Sequence, residues 1–452
     1  MALHDPVRSE ALASSLEKLI KAAKAHGATA ADAMATHGRS LGVVVRQGEL
    51  EDVDNSEGRD IGLRVFVGQR QACVSSSDIS DLSIDKLAER AVAMAKLAPE
   101  DPYCGLADES LLSTDTHDLD VYDDVQLTPQ DLKARALKVE QAALSVKGVQ
   151  QAEGASASHS SSALHFMTSH GFSRRWRATR HSLSVSAISE QDGAMERDYD
   201  MDSARWLSDL RDEEAVGTRA GQRSIARLGS KQVASGALPV IFDRRVSNAL
   251  VNALKGAIMG PSIARGVSFL KDKLHEPLFS SSIQIIDNPF LRRGNGSRPW
   301  DGEGVAMSEQ ALIKDGVLQT WLLNSASARQ LDLTTTGHAS RGLGHPPGVG
   351  TTNTIMLAGE HTPEALLAQA GEGLLITEMF GPSLNSNTGD YSVGVAGFKI
   401  ENGARAYPVS EITIAGNLIE IYKSLIAADD LVYNRATVVP SLLCEGITIA
   451  GT

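Results

Sequence analysis

The stretch Ile61-Gly-Leu-Arg-Val-Phe-Val67, followed by Gly68 and then by Gln71-Ala-Cys-Val74, decides how the first part of this chain folds. Both runs are rich in apolar and β-branched residues, and a glycine between such runs is typical of a tight turn between antiparallel strands. An earlier run, Gly42-Val-Val-Val-Arg46, has the same character. Together they predict an antiparallel meander from about residue 29 to about residue 78.

Helical patterns lie on both sides of this meander. Leucine, isoleucine and alanine recur at helical spacing over residues 6–26, and a similar pattern covers about 82–97. Asp5 supplies an N-terminal cap for the first helix, and Pro6 suits its first turn. The order helix, meander, helix therefore describes the chain up to about residue 100.

The same order of elements returns further along the chain. Helical spacing at about 128–146 precedes alternating strand patterns from 149 to about 203, and another helical pattern covers about 212–228. The two halves show no visible sequence repeat, so they are either two related α+β units or one composite domain.

Beyond Ala237, strand and turn patterns outnumber the helical ones, which lie at about 244–258 and 363–371. The predicted fold class is α+β, with N-terminal helix and antiparallel-meander units followed by a large β-rich C-terminal domain. The N-terminal α+β domain is placed at residues 1–235, with units at about 1–100 and 125–235, and the C-terminal domain at 236–452.

An acidic stretch lies between the two N-terminal units. The segment Asp101–Asp124 contains eight acidic residues and no lysine or arginine, together with several turn-forming residues. Like charges repel and turn formers interrupt regular structure, so the segment is interpreted as a linker. The alternative is an acidic binding surface.

Composition limits the classes of function. The 452 residues include 43 Lys or Arg and 56 Asp or Glu, which gives a formal net charge of −13. Such a chain lacks the broad basic face that nucleic acids and anionic membranes attract, so neither is expected as a partner. Hydrophobic content of 42% and charged content of 22% are ordinary for a globular protein.

The sequence also favours a cytoplasmic location. No apolar run approaches the roughly 20 residues of a membrane-spanning helix. The first residues lack the uninterrupted apolar core of a secretory signal. Three scattered cysteines, Cys73, Cys104 and Cys444, are typical of a reducing compartment rather than of a disulfide framework.

The common catalytic motifs are absent or broken. His275-Glu276 is followed by Pro277, which cannot lie inside a metal-binding helix. The chain has no G-x-S-x-G nucleophile turn and no Gly-Lys pair of a phosphate loop. Ser268-Phe-Leu-Lys271 matches S-x-x-K, but the two partner motifs of that class are missing, so the match is attributed to chance.

Four histidines, His159, His165, His170 and His181, lie in one strand-rich stretch. Strand alternation could bring two of them together, although structural histidines are the more common case. Nearby, the basic stretch Ser173–Arg180 is interpreted as a solvated strand face that pairs with neighbouring acids. The alternative is a site for an acidic segment or a phosphate.

A polar stretch, Asn385-Ser-Asn-Thr-Gly-Asp-Tyr-Ser392, precedes the apolar run Val393–Phe398. An Asx-type turn that leads into a strand explains this pattern without any function. The alternative is a lining for a bound peptide, because strand-addition sites need polar, open edges beside them.

Several long, ordered motifs resemble those of the TldD/PmbA family. They are Arg298-Pro-Trp-Asp-Gly-Glu-Gly-Val-Ala306, Asp315-Gly-Val-Leu-Gln-Thr-Trp-Leu-Leu323, Ser327-Ala-Arg-Gln-Leu331, Thr388-Gly-Asp-Tyr-Ser392, Glu401-Asn-Gly403, Tyr407-Pro-Val409 and Ile412-Thr-Ile-Ala-Gly-Asn417. The resemblance covers essentially the whole chain and is strongest after residue 280.

The resemblance implies a role in a cytosolic zinc-dependent peptidase of two subunits that acts on unfolded peptides. The family is also described as peptide-maturation proteins and as modulators of DNA gyrase. Its TldD-type subunit carries H-E-x-x-x-H on a helix just after a strand. The matching residues here are Asn252-Ala-Leu-Lys-Gly-Ala257, which contain neither histidine nor glutamate and place the cation of Lys255 there. The chain therefore resembles the PmbA or TldE type, which lacks the metal motif.

Cys444 does not replace these ligands. It lies beyond the place where the family's cysteine falls, and one thiol cannot hold zinc without further ligands. It is predicted to be a buried core cysteine. No catalytic residue, no metal ligand and no cofactor are therefore expected on this chain, and zinc is expected on the partner subunit.

The resemblance also suggests partners and a substrate-binding region. The expected partners are a TldD-type homologous subunit and an unfolded peptide, with a homodimer when the chain is alone. The residues expected near the peptide are Asn387, Thr388, Asp390 and Tyr391. Two alternatives are a non-enzymatic peptide-binding or regulatory module and an independent hydrolase with an unrecognised site.

Overall fold

The computed structural model of the chain describes residues 6–452, with side chains from Leu12 onward. The proposed cap at Asp5 lies outside the described residues. The N-terminal elements are α1 (Pro6–Ala25), β1 (Ala30–Arg46), β2 (Glu49–Val67), β3 (Arg70–Ser76), α2 (Asp81–Leu97), α3 (Pro129–Ser145), β4 (Val149–Thr168), β5 (Ser173–Gln191), β6 (Ala194–Ala204) and α4 (Glu213–Ala226). The predicted meander, its turn at Gly68 and its flanking helices are present, whereas Gly58, which also suggested a turn, lies inside β2 and pairs with Gly38.

All six N-terminal strands form one antiparallel sheet in the order β3-β2-β1-β4-β5-β6. Strand β1 joins the two helix–meander units, because Val43 pairs with Val53 of β2 on one side and with Ala157 of β4 on the other. The strands of both units therefore lie in one continuous sheet.

Alternating side chains of this sheet pack against the helices. At one end, Leu63 and Val65 of β2 pack with α1 and α2. At the other end, Val43 of β1 and Leu183 of β5 pack with α3 and α4. Helix α3 begins where the sequence requires, because Thr128 and Asp131 form a reciprocal capping box around Pro129.

The acidic segment connects the two units, as a linker does, but it is packed against the rest of the chain. Leu119 and Val121 are buried. The carboxylate of Asp120 lies 2.9 Å from Arg292 and 2.6 Å from Arg293. The expected self-repulsion is offset because arginines more than 150 residues away in the sequence neutralise the segment.

The C-terminal elements follow in chain order. They are β7 (Gly236–Phe242), α5 (Asn248–Ala257), α6 (Gly260–Ala264), β8 (Ile285–Asp287), β9 (Gln310–Lys314), β10 (Val317–Leu318), α7 (Ser325–Gln330), β11 (Ala339–Ser340), β12 (Gly348–Val349), β13 (Thr354–Met356), α8 (Pro363–Ala370), β14 (Gly373–Leu384), β15 (Asp390–Glu401), β16 (Ala404–Asn417), α9 (Leu418–Ser424), β17 (Ile426–Ala427), β18 (Thr437–Val438) and β19 (Leu442–Ala450). The helical patterns at 244–258 and 363–371 correspond to α5 and α8.

The strands of this region form two main sheets. One has the order β16-β15-β14-β7-β19-β17, and β16 also pairs with β19, so that five of its strands close into a ring. The other has the order β10-β9-β8-β13-β18. Phe242, Leu254 and Tyr422 are buried in the core that α5 and α9 complete. The α+β class and the β-rich C-terminal region predicted from the sequence are confirmed.

The two regions meet at a buried ion cluster. Asp32 of β1 pairs with Arg64 of β2 and with Arg341, which precedes β12. Beside the cluster, Gly62 approaches the backbone of Leu343 so closely that a Cβ atom would clash. Among the described helices, none combines the length and the apolar character of a membrane-spanning segment.

Candidate functional site

Helix α5 carries the six residues that match the position of the metal motif. It follows β7 directly and buries Leu250, Val251 and Leu254. Asn252 is exposed, whereas Ala253 is partly buried and Ala257 is buried. The two alanines offer no donor atom to a metal, so this part of the helix does not fit zinc. Among the side chains described, from Leu12 to Thr452, no three of His, Cys, Asp or Glu gather into a set that could hold a metal ion.

A lysine on the same helix points to strand β18. The Nζ atom of Lys255 donates a 2.7 Å hydrogen bond to Oγ1 of Thr437. Burial lowers the pKa of Lys255, and the nearby Asp287 carboxylate partly opposes this shift. The side chain is therefore a partly buried cation on the helix where the TldD-type motif places metal ligands.

Asp287 lies in a fully bonded polar cluster. Its carboxylate accepts hydrogen bonds from the backbone and hydroxyl of Thr352 and from the hydroxyl of Thr354, at 2.7 to 3.1 Å. Nε2 of His338 lies 3.4 Å away. Burial opposes ionisation of Asp287, but the bonds from His338 and Thr352 outweigh it and lower the pKa of the carboxyl. This cluster is a structural brace between β8 and β13.

The polar turn between β14 and β15 has the predicted Asx geometry. The backbone N–H of Asn387 donates to Oδ1 of Asn385 at 3.0 Å. The Thr388 hydroxyl donates to Asp390 at 2.6 Å, and Asn417 donates to the same carboxylate at 3.1 Å. These bonds lower the pKa of Asp390. The structure thus brings Asn387, Thr388 and Asp390 together on one exposed turn.

Tyr391, the fourth residue expected near the peptide, lies on the other face of β15. Its side chain is only 6% exposed and packs in the C-terminal core. Its hydroxyl has no hydrogen-bond partner in the part of the chain whose side chains are described, and burial raises its pKa to about 12. Successive residues of a strand face opposite sides, so Asp390 and Tyr391 cannot share a surface.

Two residues join the polar turn to the end of α5. The Ser268 hydroxyl donates a 2.6 Å hydrogen bond to the carbonyl oxygen of Ala257. The next residue, Phe269, donates its N–H to the carbonyl of Ser386 at 2.7 Å. Its ring lies against Gly389, where φ is +80° and a Cβ atom would be only 3.1 Å from the ring. Ser268 is thus a structural bridge, and sequence spacing gave no sign of this connection.

The far part of β14 is open on one side. Only Leu374, Leu375 and Ile376 pair with β7, whereas the pairing with β15 continues to Leu384. Phe380 and Leu384 are 49% and 38% exposed in this part of the strand. An exposed apolar strand with one unpaired edge is the geometry to which another strand or an extended peptide adds.

The histidines and the basic stretch of β5 have structural contacts. His159 and His181 are brought together, with their Nδ1 atoms 3.3 Å apart, and His181 lies 3.3 Å from Asp123. Burial and the neighbouring His159 lower the pKa of His181 to about 4. The guanidinium of Arg177 lies over the ring of Tyr122. Arg175, Arg177 and Arg180 are exposed, as expected of a solvated strand face, and the contact of Arg177 with Tyr122 also joins the strand to the acidic segment.

Cys444 is a buried cysteine of β19, as predicted. Its sulfur lies 3.0 Å from the hydroxyl of Ser424. Burial raises the pKa of the thiol, and the bond from Ser424 partly opposes this shift. His275-Glu276 lies in a turn rather than in a helix, as the following proline requires.

Three segments of the chain match known protein-domain families. Residues 31–95 match the PmbA/TldA metallopeptidase domain 1, residues 122–228 the central domain, and residues 235–451 the C-terminal domain. The chain is 36% identical to "Metalloprotease PmbA" of Escherichia coli O157:H7 over 98% of its own length and 96% of that protein. A "Metalloprotease TldD homolog" of Haemophilus influenzae is 26% identical over 54% of this chain and 53% of that protein.

Solved structures share the fold over nearly the whole chain. A protein from Bacteroides thetaiotaomicron, named as a candidate modulator of DNA gyrase, superposes with a TM-score of 0.90 at 26% identity, covering 97% of this chain and 98% of that one. TldE from Thermococcus kodakarensis superposes with a TM-score of 0.86 at 20% identity, over 97% of this chain and 100% of that one.

Proposed function

The chain belongs to the PmbA/TldD metallopeptidase family, and we propose that it is the metal-free subunit of a two-chain zinc peptidase that cleaves unfolded peptides. The observation that supports this proposal is the identity of the side chains that α5 presents at the position of the metal motif. Asn252, Ala253 and Ala257 stand where a TldD-type chain carries two histidines and a glutamate. Zinc on the partner subunit would supply the activated water for peptide hydrolysis.

The role proposed for this chain is to hold the peptide. The open edge of β14 offers unpaired backbone groups, and Phe380 and Leu384 offer apolar contacts beside them. The exposed turn with Asn387, Thr388 and Asp390 adds polar contacts at the end of the same hairpin. An unfolded peptide presents both kinds of group, because its backbone is unpaired and its apolar side chains are exposed.

The partner proposed is a TldD-type homologue. The similarity to a TldD homologue over about half of this chain supports a shared fold between the two subunits. Related folds commonly pair about a pseudo-twofold axis through equivalent surfaces. The same surface would also let this chain form a homodimer in the absence of its partner.

A second candidate is a peptide-binding regulatory module with no part in cleavage. The name of the Bacteroides relative as a candidate gyrase modulator favours it, and the open edge of β14 would serve it equally well. The two candidates differ in whether a TldD-type chain needs this one for cleavage.

The experiment is an assembly assay with a purified TldD-type homologue. Wild-type protein should elute from size-exclusion chromatography as a complex that cleaves an unfolded peptide. The variant F380S/L384S should keep its fold but lose most of the cleavage. The matched control is L82S/L97S, since both of these leucines are exposed on α2. Equal cleavage by F380S/L384S and the control would contradict the role of the β14 edge.

A further inference from the structure

A cavity lined by arginines lies between the N-terminal sheet and the C-terminal region. Its volume is about 280 Å³, and its walls come from β6, α4, the residues after β7 and the residues before β18. We call it the arginine cavity. The arginines that line it are Arg211, Arg219, Arg223, Arg244, Arg245 and Arg435. Two adjoining hollows of about 270 and 230 Å³ share Arg223 with it.

The carboxylates near the cavity are already engaged. Asp198, Asp200 and Asp202 alternate along β6, and all three side chains are buried. Asp198 pairs with Arg245 at 2.8 Å, and Asp200 pairs with Arg223 at the same distance. Asp202 accepts a bond from the backbone N–H of Arg211 at 2.8 Å. These three aspartates therefore bind Arg211, Arg223 and Arg245, which we call the inner arginines. Few of their carboxylate oxygens remain free to bind the other arginines of the cavity.

Two arginines of the cavity, Arg219 and Arg435, lack a carboxylate partner in the part of the chain that the structure describes. Among the described side chains of residues 12–452, neither Arg219 nor Arg435 has an ion-pair partner, and the guanidinium of Arg435 donates only to the carbonyl of Arg245. Arg244 lies 3.8 Å from Asp430, at the limit of an ion pair. Asp243 lies 3.6 Å from Arg245, so the six guanidinium groups of the cavity exceed the aspartates that the structure places beside them by one.

The three inner arginines do not share one direction of pKa shift. Burial acts to lower the pKa of Arg211 and Arg245, but the carboxylates of Asp200 and Asp198 outweigh it and raise the pKa of both. Burial and the charge of Arg245 lower the pKa of Arg223, although Asp200 and Asp198 act in the opposite direction. An anion that enters the cavity would stabilise the charged form of a guanidinium in such surroundings.

We propose that the arginine cavity binds an anionic ligand that carries carboxylate or phosphate groups. The guanidinium fork donates two parallel hydrogen bonds to either group, which lysine cannot do. A cavity at a junction of two regions is a common place for such a ligand. None of the residues of α5 or of the β14–β15 turn lines the cavity, so the proposal does not depend on the peptidase assignment.

If the arginines and aspartates around the cavity only held the two regions together, we would expect each arginine to have an acidic partner. Arginines that only tie two regions together are paired with acids, as Arg245 is with Asp198. Arg219 is exposed, stands on α4 one turn before Arg223, and contacts no acid among the described residues. Its guanidinium is therefore available to an anion that enters the cavity.

The test is isothermal titration calorimetry with two probes, sodium pyrophosphate and a hexaglutamate peptide, at constant ionic strength. The variant is R219Q/R435Q, which removes two cavity arginines without breaking an ion pair. The control is R90Q/R265Q, which removes two exposed arginines elsewhere. Thermal unfolding of all three proteins checks that they fold alike.

We expect saturable binding of at least one probe to the wild type and to the control, with at least tenfold weaker binding to R219Q/R435Q. Binding of pyrophosphate indicates a small oxyanion as ligand, and binding of hexaglutamate alone indicates an acidic peptide. Absence of saturable binding of both probes to the wild type would overturn the proposal. Equal affinity of all three proteins would overturn it as well.

Discussion

The hydroxyl of Ser268 donates a 2.6 Å hydrogen bond to the carbonyl oxygen of Ala257, the last residue of α5. Ser268 is buried, and its Oγ also accepts the N–H of Leu270 at 3.1 Å. Through the adjacent Phe269, this contact links the helix that lacks the metal ligands to the polar turn at the tip of the β14–β15 hairpin.

Replacing Ser268 by alanine should therefore destabilise the protein. The S268A variant leaves a buried carbonyl and a buried N–H without partners, at a cost of about 1–3 kcal/mol in the free energy of unfolding. Urea denaturation measures this loss. The control is S208A, an exposed serine whose removal should change stability by less than about 0.5 kcal/mol. A loss no larger than that of the control would contradict the bridging role.

Tyr391→Phe should leave the protein as stable or make it more stable. The buried hydroxyl has no partner among the described residues, so its removal relieves a desolvation penalty of about 1 kcal/mol while the ring keeps its packing. The measurement is the urea midpoint of Y391F. Cleavage by the assembled complex should be unchanged. A loss of cleavage with unchanged stability would place the hydroxyl in contact with substrate.

The contribution of His165 to stability should fall as the pH is lowered from about 6.5 to about 4. Burial and the charge of Arg175 lower the pKa of His165 to about 4, so in this range the unfolded chain takes up a proton that the folded chain refuses. The free energy of unfolding then decreases by up to about 3 kcal/mol from this residue. His181 contributes in the same direction, whereas burial and the charge of Glu303 raise the pKa of Asp301 to about 7 and act in the opposite one.

The contribution of His165 is isolated by a comparison of wild type with H165Q. At pH 8, where His165 is neutral in both states, urea unfolding measures how much the substitution changes the free energy of unfolding for reasons other than protonation. The further difference between the two proteins at pH 5 measures the part that protonation of His165 causes. The variant should lose less stability between the two pH values than the wild type. Parallel losses in both proteins would show that His165 is not protonated on unfolding.

Cys444→Ser should cause only a modest loss of stability. The thiol is buried in β19, so a serine places a more polar group in a buried site at a cost of about 1–2 kcal/mol in the free energy of unfolding. The hydroxyl of Ser424, which contacts the thiol, can pair with the new hydroxyl and keeps this cost modest. Peptide cleavage by the complex should be unchanged. If C444S assembles normally but no longer supports cleavage, the thiol has a function that its burial does not suggest.

The sequence predicts the local elements well because their signals are local. Glycines mark the turns of the first meander, and Thr128, Pro129 and Asp131 mark the start of α3. The burial of the Tyr391 side chain can also be predicted from the sequence. Tyr391, Val393 and Val395 alternate with smaller or polar residues, and this alternation predicts a shared buried face.

Other features depend on contacts that no local pattern encodes. The ring of strands closes through Ile414 and Ile449, and the open edge of β14 exists because β7 ends at Phe242. The arginine cavity draws Arg219, Arg244 and Arg435 from three separate parts of the chain. The local charges of the acidic segment predict self-repulsion, whereas the arginines that neutralise it lie far away in sequence.

The donor set of α5 leads to a prediction about metal content. Purified alone, the chain should carry no stoichiometric zinc and should not degrade casein, because Asn252, Ala253 and Ala257 supply neither a ligand pair nor a general base. Elemental analysis after mild chelation measures this. About one zinc per chain would mean that a different set of residues binds the metal.

The central claim is that this chain is needed for the peptidase activity of its partner. The most direct measurement is the rate at which a purified TldD-type homologue cleaves an unfolded peptide, with and without an equimolar amount of this chain. We expect zinc-dependent cleavage only when both chains are present, and we expect chelation to abolish that cleavage. Equal rates with and without this chain would contradict the claim.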